Sequence, residues 1–341
     1  MDPSLAGAAD VRAAVCRSHG PPDVVQVEDL PSPPLAAGQV RVRVGAAAVN
    51  FPDVLVVADQ YQVSVPTPFV PGSELAGTVE EIGEGVHTFA VGDPVIGTAL
   101  VGAFAEEAVI PADALRRIPP GVALDVAAAF GVAHRTAHHV LRSVARLQPG
   151  EELVVLGAGG GVGLAAVELG MVLGASVTAV ASSAEKLEVA ASRGAAHLVD
   201  HRSVDLRQAL RECLPGGADV VLDPVGGDLA EPALRSLRPG GRFVTVGYAS
   251  GVIPKIPLNL VLLKGIQILG FQFVDFAQRF PDDLRRNEDE LMELLGSHRV
   301  VPHIGAAFGL EDVAAALRLV ADGGAIGKVV LEIGGPISQV V

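Results

Sequence analysis

Apolar and polar positions alternate along residues 39–49, where Arg41 and Arg43 separate Val40, Val42 and Val44. A period of two predicts a strand with one buried and one solvated face. Shorter runs predict further strands at residues 11–16, 24–27, 77–82, 94–97 and 105–110. Pro31, Pro33, Pro34 and Gly38 punctuate the chain before the long strand, and Gly92-Asp93 marks a turn after it. This part of the chain reads as an irregular, mostly antiparallel β domain, preceded over residues 1–10 by a small, acidic, loose tail.

Near Asp125 the pattern changes. Residues 125–130 and 136–145 predict helices. Strands at 152–156, 176–181, 197–199, 218–222, 242–246 and 266–273 then follow, with helices at 162–173, 184–192, 204–211 and 229–237 between them. Runs such as VVLG, VVLD and FVTVG have lost the alternation, which marks strands buried on both faces. A β-α-β-α series of this kind predicts an α/β fold with a parallel, doubly wound sheet. Beyond it, residues 289–297 and 310–321 predict amphipathic helices and 328–333 a closing strand.

Half of the 341 residues are hydrophobic, enough for two sizeable cores. With no Trp and two Tyr, those cores are built from aliphatic packing. The net charge of −14 and the lack of any basic run argue against nucleic acid and anionic membranes as partners. Cys16 and Cys213 make no disulfide framework and suit a reducing compartment. The first ten residues carry no basic start followed by an apolar run, so no secretory signal is expected. The longest apolar stretch, residues 163–181, contains Glu168 and several glycines and reads as a buried helix entering a strand, not as a membrane span. A cytoplasmic location is the expectation.

The strongest chemical signal is the run Gly157-Ala158-Gly159-Gly160-Gly161-Val162-Gly163 between a predicted strand and a predicted helix. Glycines let backbone N–H groups approach a pyrophosphate, and the helix N-terminus supplies partial positive charge. The common GxGxxG spacing is not met, because Val162 stands where the third glycine belongs. The tip of the second strand separates NADH from NADPH, since an Asp or Glu there bonds the ribose hydroxyls of NADH. Here Ser182, Ser183 and Lys186 follow the strand. Two hydroxyls and an ammonium suit a 2′-phosphate. A serine capping the next helix is an alternative use of the same residues, and both uses are compatible.

Several runs resemble the zinc-independent quinone oxidoreductases of the medium-chain dehydrogenase/reductase type. They are Asn50-Phe51-Pro52-Asp53, Tyr61, Pro71-Gly72-Ser73-Glu74-Leu75-Ala76-Gly77, Leu147-Gln148-Pro149-Gly150, the glycine loop, Asp223-Pro224-Val225-Gly226-Gly227 and Gly327-Lys328-Val329-Val330-Leu331. The resemblance covers nearly the whole chain from Val11 to Ile333. It implies a GroES-like, β-rich catalytic domain over residues 1–133 and 274–341, and a Rossmann NADPH-binding domain over 134–273. The active cleft is then expected between them.

Zinc-containing relatives carry a Cys at the position of Asn50, the His of a Gly-His-Glu motif at the position of Ser73, and four clustered cysteines elsewhere. No zinc is therefore expected. His134, His138 and His139 share a helical stretch with no partner Cys and read as ordinary helix or cleft residues. Without a Lewis acid, acceptors that take hydride readily fit best, namely quinones or alkenes conjugated to a carbonyl.

The resemblance implies that Tyr61 holds the acceptor oxygen or donates a proton, and that Asn50 bonds the nicotinamide ribose or the acceptor. Thr136 is expected near the cofactor and His201 near the adenosine phosphate. Gly247 and Tyr248 are expected at the carboxyl edge of the sheet. Phe271 and Phe273, placed on the last Rossmann strand, either flank the nicotinamide or pack in the core or an interface. Lys328 either reaches the 2′-phosphate or sits in solvent. The edge strand 266–273 is expected to pair with its copy in a homodimer. Two other readings stay open: an enoyl-thioester or alkenal reductase with Tyr61 as proton donor, and a non-catalytic NADPH-binding structural or redox-sensing protein.

Overall fold

The computed structural model describes residues 10–334, so the expected N-terminal tail lies almost wholly outside the described residues. The chain divides into two compact units, one formed by residues up to Val132 and from Ile304 onward, the other by Ala133–His303.

The first unit is β-rich. Its larger sheet runs Ile304–Gly309, Lys328–Glu332, Gln39–Val49, Glu74–Ile82, Pro94–Thr98 and Leu115–Arg117, with Glu107–Pro111 also paired to Gln39–Val49. Pairing is antiparallel except between Ile304–Gly309 and Lys328–Glu332. A second, two-stranded sheet joins Asp10–Cys16 to Val25–Pro31. The alternation read in residues 39–49 is real: Val40, Val42 and Val44 are buried among Leu75, Phe104, Ile110 and Leu115. Arg41 bonds Glu81 at 3.1 Å and Glu107 at 2.9 Å on the two flanking strands. A short helix, Phe51–Val57, was not legible from periodicity; Pro52, whose ring presets the helical φ, opens it.

The second unit is a six-stranded parallel sheet in the order His197–Asp200, Ser176–Ala181, Glu152–Leu156, Ala218–Asp223, Leu237–Thr245 and Gln267–Gly270. Helices Gly161–Val172, Ala184–Ser192, Leu206–Cys213 and Ala230–Ser236 connect the strands. This is the expected doubly wound Rossmann arrangement, and the β-rich unit matches the expected GroES-like domain.

Three local expectations are corrected. The helices expected at 125–130 and 136–145 are one helix, Leu124–His139, that runs into a π-helical turn, Val140–Val144. Gly131 does not break it: a Cβ there would lie 2.8 Å from Glu74 Oε2, which accepts the Val132 N–H at 2.6 Å. The last strand ends at Gly270, short of residue 273. Gln272 instead caps helix Phe273–Arg279 by accepting the Asp275 N–H at 2.6 Å. Residues 274–303 fall in the second unit. Helix Pro281–Gly296 is tied there by Glu288, which accepts from Arg135 at 2.6 Å and pairs with His139 at 3.2 Å. Glu290 pairs with His138 at 3.1 Å and accepts from Arg142 at 3.1 Å.

Candidate functional site

In a parallel sheet all carboxyl ends share one edge. The chain winds in opposite directions on either side of Glu152–Leu156 and Ala218–Asp223, so the crevice between their ends is the natural ligand position. Gly157 leaves the first of these strands at φ +62°, and a Cβ on it would come within 2.6 Å of Val225. The loop closes through the Gly160 N–H, which donates to the Gly157 carbonyl at 3.0 Å. Gly160 is the N-cap of helix Gly161–Val172. A Cβ on Gly163 would sit 2.0 Å from the Gly157 carbonyl oxygen, which no side chain tolerates. The close-packing glycine is thus present one position beyond the spacing sought in the sequence, and Val162 does not interrupt the motif. The first N–H groups of a helix make no bond within it, which suits them to an anion.

Lys186 lies across the loop. A Cβ on Gly159 would fall 2.6 Å from the Cβ and Cγ of Lys186, so the glycine makes room for the lysine stem. Ser183 does cap helix Ala184–Ser192, accepting the Lys186 N–H at 3.4 Å, and Ser182 is half-buried beside it. Burial, and then the charge of Arg202, pull the Lys186 ammonium below its usual range. Burial and then Arg202 also pull down His201, with Lys186 adding to the effect and Asp200 opposing it. Lys186, His201 and Arg202 therefore form a basic group at the tips of two adjacent strands. Arg202 was missed in the sequence, where a lone Arg in a turn carries no signal.

Tyr248 rests on Gly226, whose added Cβ would lie 2.8 Å from its ring, and Gly247 adjoins it after strand Leu237–Thr245. Asp223 Oδ1 shapes the facing turn by accepting the Val225 and Gly226 N–H groups, each at 2.8 Å. Thr136 is half-buried on helix Leu124–His139. Phe271 and Phe273 lie beyond the strand expected to carry them. Both pack on His139, at 6.3 and 5.7 Å between centroids, and the Arg135 guanidinium lies 4.5 Å over Phe273.

In the first unit, strand register assembles a buried polar cluster. Ala48 lies opposite Glu74 and Val49 opposite Val329, which brings Asn50, Glu74 and Lys328 to one end of three neighbouring strands. Lys328 Nζ donates to Asn50 Oδ1 at 2.6 Å and to Glu74 Oε1 at 2.5 Å. Asn50 Nδ2 donates to Glu74 Oε1 at 2.8 Å and to Ser73 Oγ at 3.3 Å. Lys328 is 3% exposed and Glu74 0%. The expectation that Lys328 sits in solvent is overturned: its ammonium is buried on a carboxylate. Asn50 is likewise committed to its neighbours. Tyr61 is half-buried against the core of the unit, and its hydroxyl accepts from Gln62 at 3.4 Å.

Among the described residues, no three His, Cys, Asp or Glu side chains gather as a metal-binding group, and no helix is long and apolar enough to cross a membrane. The donor set at Asn50 and Ser73 does not fit zinc. Neither supplies a thiolate or imidazole, and the Lys328 ammonium stands where a dication would be repelled.

Residues 36–120 match the alcohol dehydrogenase GroES-like domain, and residues 161–289 match the zinc-binding dehydrogenase family. Quinone oxidoreductase-like protein 2 of Bos taurus is 37% identical over 94% of this chain and 92% of its own length. The solved quinone oxidoreductase of Pseudomonas syringae has a TM-score of 0.87 at 28% identity, covering 94% of this chain and 99% of its own. The Escherichia coli quinone oxidoreductase, solved in complex with NADPH, has a TM-score of 0.86 at 26% identity, covering 95% of this chain and 100% of its own. With both units matched in order and the glycine loop in place, the chain belongs to the quinone oxidoreductase family of medium-chain dehydrogenases/reductases, a family of oxidoreductases.

Proposed function

We propose that the chain is an NADPH-dependent quinone oxidoreductase that reduces a quinone or another conjugated carbonyl acceptor without zinc. The observation that carries this reading is the pair of cations, Lys186 and Arg202, gathered with His201 beside the glycine loop. In a chain of net charge −14, gathering cations there favours a ligand with an additional phosphate. The Escherichia coli relative solved with NADPH supports the same choice.

NADPH supplies the hydride when it is bound. The N–H groups at the start of helix Gly161–Val172 hold its pyrophosphate, while Ser182, Lys186, His201 and Arg202 hold the 2′-phosphate. Thr136, Gly247 and Tyr248 border the remainder of the dinucleotide. Tyr61 bonds the acceptor oxygen through its hydroxyl. Asn50, fixed by Lys328 and Glu74, keeps one face of the acceptor site polar and rigid. Positioning supplies most of the rate enhancement, because an activated acceptor needs little further polarisation.

A homodimer belongs to this proposal. Strand Gln267–Gly270 is a sheet edge, and Ile268, Leu258, Leu262 and Leu263 nearby are 39%, 76%, 82% and 75% exposed. Light scattering at micromolar concentration should report twice the chain mass; a monomer would remove this part.

Steady-state oxidation of NADPH and of NADH against a naphthoquinone, crotonyl-CoA and an alkenal tests the function. Faster turnover of the quinone with NADPH is the expected result. Preference for crotonyl-CoA would assign the chain to enoyl-thioester reduction. Tight NADPH binding with no acceptor reduced would assign it to a non-catalytic role.

A further inference from the structure

Strand register sets His201 beside Ser182. Asp200 lies opposite Ala181 in the parallel pair, and the His201 backbone N–H donates to the Ala181 carbonyl at 3.1 Å. Asp200 fixes the turn that follows: its Oδ1 accepts the Arg202 N–H at 2.9 Å, and its carbonyl accepts the Ser203 hydroxyl at 3.1 Å. Lys186 approaches from helix Ala184–Ser192, its stem lying over Gly159. His201 is thus half-buried where two strand tips meet, with one cation in its own turn and a second on the neighbouring helix. Strand Ser176–Ala181 has no ionisable side chain, and Arg207, Arg211 and Glu212 of helix Leu206–Cys213 are exposed.

One ring nitrogen of His201 bonds the residue's own carbonyl, so it carries the N–H. The other has no hydrogen-bond partner among the described residues. Burial, Arg202 and Lys186 oppose a charged ring and outweigh Asp200 and the carbonyl, which favour one. The free protein therefore holds His201 neutral near neutral pH, with a bare lone pair on the second nitrogen. The two cofactors ask opposite things of that lone pair. The ribose 2′-hydroxyl of NADH donates to it. The 2′-phosphate of NADPH is mostly a dianion at neutral pH and has only acceptors, so it would meet the bare nitrogen lone pair to lone pair. A proton on that nitrogen turns it into a charged donor.

We propose that His201 takes up a proton when NADPH binds, and so sets the preference for NADPH over NADH according to pH. This rests on the NADPH reading above. The proton comes from solvent and bonds to the open ring nitrogen; no other covalent bond changes. The phosphate favours the charged ring, so the complex holds the proton to a higher pH than the free protein does. NADPH affinity is therefore full below the free protein's value and is lost as pH rises through the value in the complex. NADH affinity has no such limb.

Titration calorimetry in two buffers of different ionisation enthalpy counts the protons. At about pH 7.5 the wild type should take up about one proton with NADPH and none with NADH. Its Kd for NADPH should rise by close to 10-fold per pH unit above about 7, as one linked proton requires. His201→Gln keeps an amide donor and acceptor but does not titrate. It should lose both the uptake and the pH limb, and any titration of the phosphate itself, near about pH 6, remains in it as a control. Nitrogen-15 spectra of the histidine rings give an independent readout. The signal missing from His201→Gln should move to imidazolium shifts when NADPH is added to the wild type, and stay neutral with NADH. If the variant does not fold, a wild type in which no histidine ring gains a proton with NADPH would still overturn the linkage. A wild type that prefers NADPH yet takes up no more protons than His201→Gln would overturn the linkage alone. A wild type that binds NADPH no more tightly than NADH at any pH would overturn the NADPH reading, and the linkage with it.

Discussion

Replacing Lys328 with Met separates two incompatible roles for one residue. In the structure its ammonium lies 2.5 Å from Glu74 Oε1 and 2.6 Å from Asn50 Oδ1, with both charged side chains almost fully buried. At an effective dielectric near 20 the attraction across that distance is about 7 kcal/mol. Desolvation of both ions offsets most of it, so the pair itself adds little. Removing one partner is different, because an uncompensated carboxylate stays behind at a cost of about 3–5 kcal/mol. Glu74 keeps the Asn50 amide at 2.8 Å and the Val132 N–H at 2.6 Å, which places Lys328→Met near about 3 kcal/mol, at the lower end of that range. For a protein of this size the melting temperature should fall by roughly 4 °C. Adding Glu74→Gln should recover much of the loss. Asn50 Oδ1, freed by the absence of Lys328, can turn to accept from the new amide, and the double-mutant cycle should show coupling of about 1 kcal/mol or more. Thermal and urea unfolding measure both quantities. The KM ratio of NADPH to NADH should not move. A stability loss below about 1 kcal/mol, together with a raised KM for NADPH alone, would refute the buried pair and return Lys328 to the phosphate.

Lys186→Ala and Arg202→Ala should each weaken NADPH binding by about 10-fold, as expected for one charge-assisted contact, and leave NADH unchanged. Cofactor fluorescence can follow this, since the chain has no Trp. Gly163→Ala should abolish tight NADPH binding, because the added Cβ would meet the Gly157 carbonyl at 2.0 Å and the loop must move; overpacking of this kind costs about 1–3 kcal/mol. Glu288→Gln should show a pH-dependent penalty. Burial alone would raise this carboxyl, but its bond to His139 and the charge of Arg135 outweigh burial and bring it from 4.5 to about 2. A depressed carboxylate stabilises the fold above its unfolded value and loses that contribution as pH falls through the folded one. The wild type should therefore exceed the variant by about 3 kcal/mol near neutral pH, and denaturant titrations should show the gap closing between pH 4.5 and 2.

What the sequence revealed and what it concealed follow from how far each interaction reaches along the chain. The Rossmann strands were legible because burial on both faces leaves continuous apolar runs, and Glu152–Leu156, Ser176–Ala181 and helix Ala184–Ser192 lie where periodicity put them. The glycine loop was legible because its purpose is local. Yet the glycine that makes close packing possible, Gly163, is defined by a distance to Gly157 and not by a fixed spacing, so a template one residue shorter missed it. Phe273 was assigned to the wrong element because an apolar run does not show where Gln272 will cap a helix and end a strand. Lys328 and Glu74 are separated by 254 residues and Lys328 and Asn50 by 278, so no window of sequence contains the pair. A signal was present nonetheless. Lys328 opens the run KVVL and Glu74 sits in SELAG, each an ionisable residue beginning a run of buried positions. A buried charge needs an opposite charge or a proton. Two such residues of opposite sign in one β domain should be suspected of meeting.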